Sequence, residues 1–328
     1  QGANAGSYVV VWRSDDGQDG SGYGVFGQRY DARGAAVGAE FQVSSEGLGN
    51  QYEPEVGALA NGGFVVVWRS DSQDGSGSGI YAQRYGADGA LAGSEFRVST
   101  TTTGNQYEPA VIGLSDGSFV VAYRSDYTAS TYTTDVLAKR YAADGTLLAD
   151  EFTLNTTVSG TQFNPRLAAL PGGKFVAVYA DASANDGSGY GVFSKVFNAD
   201  GTVAVAEQGV PSTVAGNQYG HDVAVLADGS YVVVWWSADD QIHGQRFDGS
   251  GAKVGGQFQV STVDSVPYQD YARVTALGDG GFVVAWDSYN GVGGSTYDVF
   301  VQQFDAAGNK IDGATVVNST IASTQYLP

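Results

Sequence analysis

The sequence contains no cysteine and only two histidines in 328 residues. Without cysteine there is no disulfide framework and no thiolate metal site, and two histidines are too few for a histidine-rich zinc site. Metals bound by oxygen atoms remain compatible with this composition. Ca²⁺ is the cofactor that we consider among them, and no organic cofactor is predicted.

Basic residues are also scarce, because 16 Lys and Arg stand against 35 Asp and Glu, a formal net charge of −19. This surplus opposes binding to nucleic acid and to anionic membrane surfaces, so we predict cations or neutral ligands as partners. No stretch approaches the ~18 apolar residues of a membrane span, so membrane insertion is not predicted. The opening residues QGANAGSY lack a basic region followed by an apolar core, so no signal peptide is predicted.

Glycine, by contrast, is abundant, with 48 residues in the chain. No collagen-like period accompanies it, and apolar runs typical of strands are frequent, which favours many short strands joined by tight turns. One apolar run, FVVVW at 64–68, is present in six variant copies along the chain. Its copies start near residues 8, 64, 119, 175, 231 and 282.

Each repeat contains four short segments, which we name A to D in chain order. In the second repeat they are EVGAL (55–59), FVVVW (64–68), IYAQRY (80–85) and EFRV (95–98). Glycine and aspartate in the A–B and C–D links suit tight hairpins, and segment B is apolar on both faces, as in a blade packed between two others. We therefore predict an all-β, six-bladed β-propeller of four-stranded antiparallel blades, with residues 1–328 as a single domain.

The two chain ends nearly complete one repeat between them. TQYLP at 324–328 matches NQYEP at 50–54, and QGANAGSY at 1–8 matches the end of segment A and its turn. We expect the N- and C-terminal segments to join in one blade and close the ring, since an open array would start and stop between repeats. The alternative is that the sequence is a piece of a longer chain.

The order of the segments also predicts where a ligand binds. The A–B and C–D turns lie at one end of the strands, which we call the turn side. The B–C loops and the D-to-A connections lie at the other end, which we call the loop side. Loops on a rigid scaffold commonly carry binding sites, so we predict that the loop side is the working side.

Several B–C loops place two or three carboxylates among glycines, as in RSDSQDGSGSG at 69–79. Such loops suit a hard cation such as Ca²⁺, although the spacing of an EF-hand is absent. The alternative is a set of Asx turns that hold long loops. The candidate metal ligands are Asp15, Asp16, Asp19, Asp71, Asp74, Asp181 and Asp186.

A glutamine precedes segment A in every repeat and is usually followed by an aromatic residue. A residue present in every blade is typical of a hydrogen-bonded clip between blades. The alternative is a polar opening with an aromatic rim that binds a sugar. The candidate ligand-binding residues of this group are Gln51, Tyr52, Gln106, Tyr107, Gln162, Gln218, Tyr219 and Gln325, and Gln269 is the remaining glutamine.

Arg13, Arg69 and Arg124 follow segment B in three repeats. They suit a clamp on a carboxylate of the kind that sialidases use, and pairing with the loop aspartates is the alternative. His221, beside Asp222, is the candidate general base of the loop side and the weak catalytic candidate of the chain. No serine elbow, zinc-protease helix, phosphate loop or paired glutamate spacing accompanies it.

The run VVVWRSDDGQDGSGYGVFGQRYDARGAAVGAEFQV, with GNQYEPEVGALANGGFVVVW after it, resembles repeats of very large secreted bacterial proteins, including calcium-binding adhesins of the type I-secreted, RTX-bearing kind. The resemblance covers all six repeats and is strongest in the first three. It implies a secreted or cell-surface module near calcium-binding repeats, within a larger polypeptide. The nonapeptide calcium repeats of that family are absent from this sequence.

Three functions follow from these observations. The leading prediction is a non-enzymatic extracellular module for binding or adhesion, whose loop side holds a glycan or a surface protein and is stabilised by Ca²⁺. The first alternative is a glycan-active hydrolase or lyase that uses His221, Asp222 and the arginines. The second is a structural or assembly unit of a larger surface protein.

Overall fold

The structure is a computed structural model that describes residues 6–15, 20, 22–45, 49–126, 133–183, 185–261, 268–289 and 297–318. Within these ranges the chain folds into 23 strands and one 3-10 turn, Pro171–Gly173. The same ranges contain no helix with the length and hydrophobicity of a membrane span.

The strands form six antiparallel sheets, and in each sheet the strands follow one another in chain order. The first sheet has three strands among the described residues: β1 (Tyr8–Ser14), β2 (Gly24–Tyr30) and β3 (Ala36–Gln42). The second sheet consists of β4 (Gln51–Ala58), β5 (Phe64–Asp71), β6 (Ser78–Tyr85) and β7 (Phe96–Arg97). The third consists of β8 (Gln106–Gly113), β9 (Phe119–Ser125), β10 (Asp135–Tyr141) and β11 (Leu147–Thr153).

The remaining three sheets repeat the four-stranded pattern. The fourth consists of β12 (Gln162–Ala169), β13 (Phe175–Asp181), β14 (Gly191–Phe197) and β15 (Val203–Gly209). The fifth consists of β16 (Gln218–Val225), β17 (Tyr231–Ser237), β18 (Gln241–Phe247) and β19 (Lys253–Gln259). The sixth consists of β20 (Tyr268–Ala276), β21 (Phe282–Tyr289), β22 (Tyr297–Phe304) and β23 (Lys310–Val316).

Burial explains why the second strand of each repeat is apolar on both faces. In β5 the run from Phe64 to Trp68 is buried throughout, and Trp68 has no exposed surface. The last strand of a sheet, such as β11 or β23, is largely exposed. The core of each sheet therefore lies in its middle strands, as expected for blades that pack face to face.

An aromatic pair locks the turn-side end of the middle strands in several sheets. Phe64 and Tyr85 lie opposite each other in the β5–β6 ladder, and their rings stack with centroids 4.6 Å apart. Phe282 and Phe304 repeat this pairing in the β21–β22 ladder at 4.7 Å. Stacked pairs of this kind add to the stability that comes from buried area.

Polar side chains join consecutive sheets. The Glu95 carboxylate accepts the backbone N–H of Ser45 at 2.8 Å, and Gln257 Oε1 accepts the N–H of Ser212 at 2.9 Å. On the turn side, the guanidinium of Arg84 donates to the carbonyl oxygen of Ala143 at 2.7 Å. These bonds explain why glutamate or glutamine at the start of segment D and arginine near the end of segment C recur in the sequence.

The first strands of neighbouring sheets approach very closely in the second and third sheets. A Cβ atom on Gly113 would lie 2.1 Å from the carbonyl oxygen of Ala58, and one on Gly57 would lie 3.3 Å from Val111. Glycine is therefore required at position 113 for this packing distance.

The predicted fold class is confirmed, since the chain is all-β with six blades of antiparallel strands of the β-propeller type. By internal contacts the chain divides into two compact units, Gln1–Phe175 with Asn198–Thr202 (unit 1) and Val176–Phe197 with Val203–Pro328 (unit 2). The predicted closure of the ring by the terminal segments lies outside the described residues, and the single-domain assignment stays a prediction.

Candidate functional site

The first strand of a blade is interrupted by a bulge at its loop-side end. In the β4–β5 ladder the register shifts between Tyr52 and Glu55, and the ladder of β8 and β9 shifts at the corresponding place. The residue at the bulge has a positive φ in each case: Glu53 has 52° and Glu108 has 53°. Non-glycine residues are uncommon in this region, and such positions are concentrated at functional sites.

The two bulge glutamates of unit 1 are joined through the backbone. Glu53 Oε2 accepts the N–H of Glu108 at 2.7 Å, and Glu108 Oε2 accepts the N–H of Asn164 at 2.5 Å. Their other oxygens face guanidinium groups, with Glu53 Oε1 at 3.8 Å from Arg69 and Glu108 Oε1 at 3.5 Å from Arg124. Both carboxylates are partly exposed, at 41% and 28% of the side chain, so a ligand on the loop side can reach them.

Arginine and tyrosine side chains alternate beside these glutamates. The guanidinium carbon of Arg69 lies 4.8 Å from the ring centroids of both Tyr52 and Tyr107. Arg13 lies 5.5 Å from the Tyr52 centroid, and Arg124 lies 5.4 Å from that of Tyr107. We call this arrangement the arginine–tyrosine ladder (Arg13, Tyr52, Arg69, Tyr107 and Arg124). Its cation–π contacts stabilise the loop-side ends of the first three blades.

The arginines of the ladder also pair with carboxylates. Arg69 also binds the Asp71 carboxylate at 3.1 Å, so its positive charge is shared among Asp71, Glu53 and two tyrosine rings. Burial, and after it the negative charge of Asp126, raises the pKa of Tyr107. Pairing with carboxylates therefore accounts for Arg69 and Arg124, and their role as a clamp on a ligand carboxylate stays a prediction.

The glutamines are placed inside the protein. Gln51, Gln106, Gln162 and Gln218 have no exposed surface, and Gln269 is 2% exposed. The Gln218 amide donates to the carbonyl oxygens of Ala215 and Gly216 at 3.2 and 3.0 Å, which ties down the connection that enters its blade. This geometry is that of a structural clip, and ligand contact by the glutamine side chains stays a prediction that their burial disfavours. Gln325 lies outside the described residues.

The predicted general base is also buried. His221 on β16 has no exposed surface, so its imidazole does not reach the solvent on the loop side. The Asp222 carboxylate accepts the backbone N–H of Val274 at 2.9 Å and joins two first strands of unit 2. His221 is therefore an internal residue, because a substrate cannot contact a fully buried imidazole in this conformation, whereas Asp222 is partly exposed.

The loop aspartates mostly cap their own turns. Asp74 Oδ1 accepts the N–H of Ser76, and Asp186 Oδ1 accepts that of Ser188, both at 3.0 Å. Asp181 Oδ1 accepts the N–H of Ser183 at 2.7 Å, which is an Asx turn as well. Among the described residues, no three or more acidic or histidine side chains form a metal-sized group. Asp15 is exposed, Asp16 and Asp19 lie outside the described residues, and calcium binding stays a prediction.

A cavity of about 270 Å³ lies on the turn side of unit 1. Tyr8, Arg29, Tyr30, Val56 and Phe64 are among its lining residues, and no carboxylate side chain lines it. It therefore lacks the acidic groups that glycoside hydrolysis uses.

Sequence reasoning missed Glu53 and Glu108. Their shared position was visible in the sequence, because both are the third residue of the sequence Gln-Tyr-Glu-Pro. Later repeats have Asn164, Gly220 and Tyr271 there, all with positive φ. A strained backbone position held by residues other than glycine in most repeats is a feature that only the structure reveals.

No protein-family model matches the sequence, and no curated protein matches it. Among solved structures, an α-L-arabinanase of Penicillium chrysogenum complexed with arabinobiose has 15% identity and a TM-score of 0.61, covering 92% of this chain and 90% of its own. An α-L-arabinofuranosidase of Fusarium graminearum with arabinobiose has 14% identity and a TM-score of 0.53, with coverages of 96% and 95%. A Hadza microbial sialidase has 10% identity and a TM-score of 0.54, with coverages of 91% and 67%.

Identities this low show a common fold, the six-bladed β-propeller. The three solved structures described above are an arabinanase, an arabinofuranosidase and a sialidase, and none of them is an RTX adhesin repeat. The leading prediction of a non-enzymatic binding or adhesion module is therefore wrong. That prediction came from an acidic composition and the lack of a catalytic motif in the sequence. Both features are also compatible with an enzyme whose acidic groups come from different blades, so they do not distinguish an adhesin from an enzyme.

Proposed function

We propose that this protein is a glycan-active hydrolase whose reaction centre lies on the loop side of unit 1, at Glu53 and Glu108. The observation that carries the proposal is that these two carboxylates stand on consecutive first strands, linked by a 2.7 Å hydrogen bond from the Glu108 N–H to Glu53 Oε2. The glycoside hydrolases that share the fold support the same class of reaction.

The chemistry requires two carboxyl groups at the scissile bond. One protonates the leaving oxygen, and the other acts as a nucleophile or activates a water molecule. Glu53 and Glu108 are partly exposed, and each keeps one oxygen on a backbone N–H and the other near an arginine. This anchoring holds both carboxylates in fixed positions, which a positioned acid–base pair needs.

The glycan is the partner that this proposal retains. Arabinose-containing glycans are the first substrates to test, because arabinobiose is bound in two of the solved structures with the same fold. The extracellular location, the RTX-type neighbourhood and Ca²⁺ stay predictions from the sequence. Their support is the acidic, cysteine-free composition and the resemblance of the repeats.

The test is turnover of a panel of glycans by the purified chain. Linear arabinan, arabinobiose, p-nitrophenyl α-L-arabinofuranoside and sialyllactose would be incubated with the wild type and with Glu53→Gln and Glu108→Gln. We expect release of reducing sugar or p-nitrophenol from at least one substrate, and a loss of at least ~100-fold in each variant. Leu91→Ala, at a side chain that is 68% exposed on a C–D turn, is the control that should retain full turnover.

Two results would overturn the proposal. The first is no product from any member of the panel. The second is turnover by both glutamine variants at the wild-type rate, which would move the reaction centre elsewhere. Thermal melting of both variants checks that a loss of activity does not reflect unfolding.

A further inference from the structure

Tyr23 and Tyr190, at the ends of two B–C loops, make the same set of backbone hydrogen bonds. The N–H of Tyr23 donates to Asn50 Oδ1 at 3.1 Å, and the N–H of Tyr190 donates to Asn217 Oδ1 at the same distance. The carbonyl oxygen of each tyrosine accepts the N–H of the buried glutamine that follows the asparagine, at 2.8 and 2.7 Å. The two tyrosines are thus held in the same way at the ends of equivalent loops, GSGYG in both repeats.

The side chains around the two tyrosines differ at two positions. In unit 1, Arg13 and Arg69 follow segment B of the first and second blades. The equivalent residues in unit 2 are Ala180 and Trp236, which follow segment B of the fourth and fifth blades. The guanidinium of Arg13 lies 4.6 Å from the Tyr23 ring centroid, whereas Ala180 is a small, fully buried side chain. The positive charges of Arg13 and Arg69 in unit 1 therefore have no equivalent at positions 180 and 236 of unit 2.

Three aromatic rings lie together where the charges are absent. The ring centroids of Tyr219 and Trp236 are 4.6 Å apart with a tilt of 36°, and those of Tyr190 and Tyr219 are 6.3 Å apart, edge to face. Tyr190 is 40% exposed, and Tyr219 and Trp236 are partly exposed, unlike the fully buried Trp235 beside them. We call these three residues the aromatic platform (Tyr190, Tyr219 and Trp236).

The aromatic rings and the lack of positive charge at the aromatic platform indicate the class of ligand that it would bind. Aromatic side chains with an apolar face and a polar edge bind partners that are apolar on one side and hydroxylated on the other, as sugar rings are. An anionic sugar is disfavoured, because the platform carries no arginine and the chain has a net charge of −19. In the arginine–tyrosine ladder, by contrast, Arg13 and Arg69 lie over the ring of Tyr52, so that ring is less available for stacking.

We propose that the aromatic platform is a subsite for neutral sugar units of a glycan chain. The inference rests on the proposed function for the class of ligand, and it adds a binding site in unit 2. Stacking on the platform would contribute to affinity and leave the chemistry of the carboxylates unchanged.

Binding, measured separately from turnover, tests the proposal. Isothermal titration of Glu53→Gln with arabinobiose and longer linear arabino-oligosaccharides gives the reference affinity without hydrolysis. Adding Trp236→Ala or Tyr190→Ala to this background is expected to weaken binding of the longer oligosaccharides roughly fivefold, since stacking of one ring is worth about 1 kcal/mol. Trp236→Phe, which keeps an aromatic face, should recover most of the affinity.

The control and the background separate the two proposals. Leu91→Ala in the same background should bind like the reference. If Trp236→Ala and Tyr190→Ala bind the oligosaccharides as tightly as the reference does, the platform is not a subsite, whatever the turnover shows. If the wild type hydrolyses no glycan but binding of the neutral oligosaccharides still depends on Trp236, the reaction centre is wrong and the platform stands. Loss of binding in Trp236→Phe equal to that in Trp236→Ala would also contradict stacking.

Discussion

Glu53 Oε2 and the backbone N–H of Glu108 form a hydrogen bond of 2.7 Å between the first strands of two consecutive blades. The bond has two consequences at once. It fixes the Glu53 carboxylate on the loop side. Its donor is the backbone N–H of the bulge residue Glu108, whose φ of 53° is strained. Local strain is thus offset by a contact between blades, and the candidate site depends on the packing of the blades.

Arg69 should stabilise the fold as well as the site. It contacts two tyrosine rings at 4.8 Å and two carboxylates, and its side chain is only 22% exposed. We expect Arg69→Ala to lower the free energy of unfolding by about 2 kcal/mol in urea titrations, mostly through the cation–π contacts, because partly exposed ion pairs contribute little. Arg69→Lys should recover less than half of the loss, since lysine lacks the planar group that stacks on a ring. Arg33→Ala, at an exposed turn position, is the control and should remain within about 0.5 kcal/mol of the wild type.

Gly113 should tolerate no side chain. The Cβ of Gly113→Ala would lie 2.1 Å from the carbonyl oxygen of Ala58, so β4 and β8 would have to separate. We expect a loss of at least ~2 kcal/mol in the free energy of unfolding. Gly313→Ala is the matched control, because nothing lies within 4 Å of its added Cβ, and it should be neutral. Equal stability of the two variants would show that the first strands do not pack as closely as described.

The repeat made most of the fold predictable, because FVVVW every 51 to 56 residues gives the second strand of each blade directly. The positions of the glutamines were predictable for the same reason, since Gln218 and its equivalents stand at a fixed place before segment A. Glu53 and Glu108 were not, because their role comes from a bulge and from a hydrogen bond to the next blade. Tyr190 and Trp236 were missed because the signal is a difference between repeats, where Ala180 and Trp236 replace arginine.

Acid should weaken the fold through its turn aspartates. Hydrogen bonds from their own turns, first among them that of the Ser250 hydroxyl to Asp248 and that of the Asn309 amide to Asp305, lower the pKa of these carboxyls below the ordinary value of 3.8. A lowered folded-state pKa means that the unfolded chain takes up protons first as pH falls. The stabilisation is therefore present above pH ~4 and is lost as pH falls through the folded-state pKa values.

The melting temperature measured from about pH 6 to pH 2 checks this sign. We expect a plateau above pH ~4 and a steady fall below it. Asp248→Asn keeps a side-chain oxygen for the turn and has no carboxylate to titrate, so its decrease on acidification should be smaller than that of the wild type. A wild-type melting temperature that rises on acidification would contradict the assignment.

Calcium, if it binds, should act through Asp186 more than through Asp74. The two aspartates occupy equivalent loop positions, and each has a buried Oδ2 without a hydrogen-bond donor among the described residues. Arg97 Nη1 lies 3.7 Å from Asp74 Oδ2 and supplies a positive charge there, whereas Gly209 occupies the place of Arg97 in the fourth blade. A buried carboxylate oxygen without a cation nearby is the one that gains most from a bound metal ion.

We therefore expect Ca²⁺ to raise the melting temperature of the wild type and of Asp74→Asn by similar amounts, and to have little effect on Asp186→Asn. EDTA should reverse the increase, and identical melting curves with Ca²⁺ and with EDTA in the wild type would remove the calcium prediction altogether.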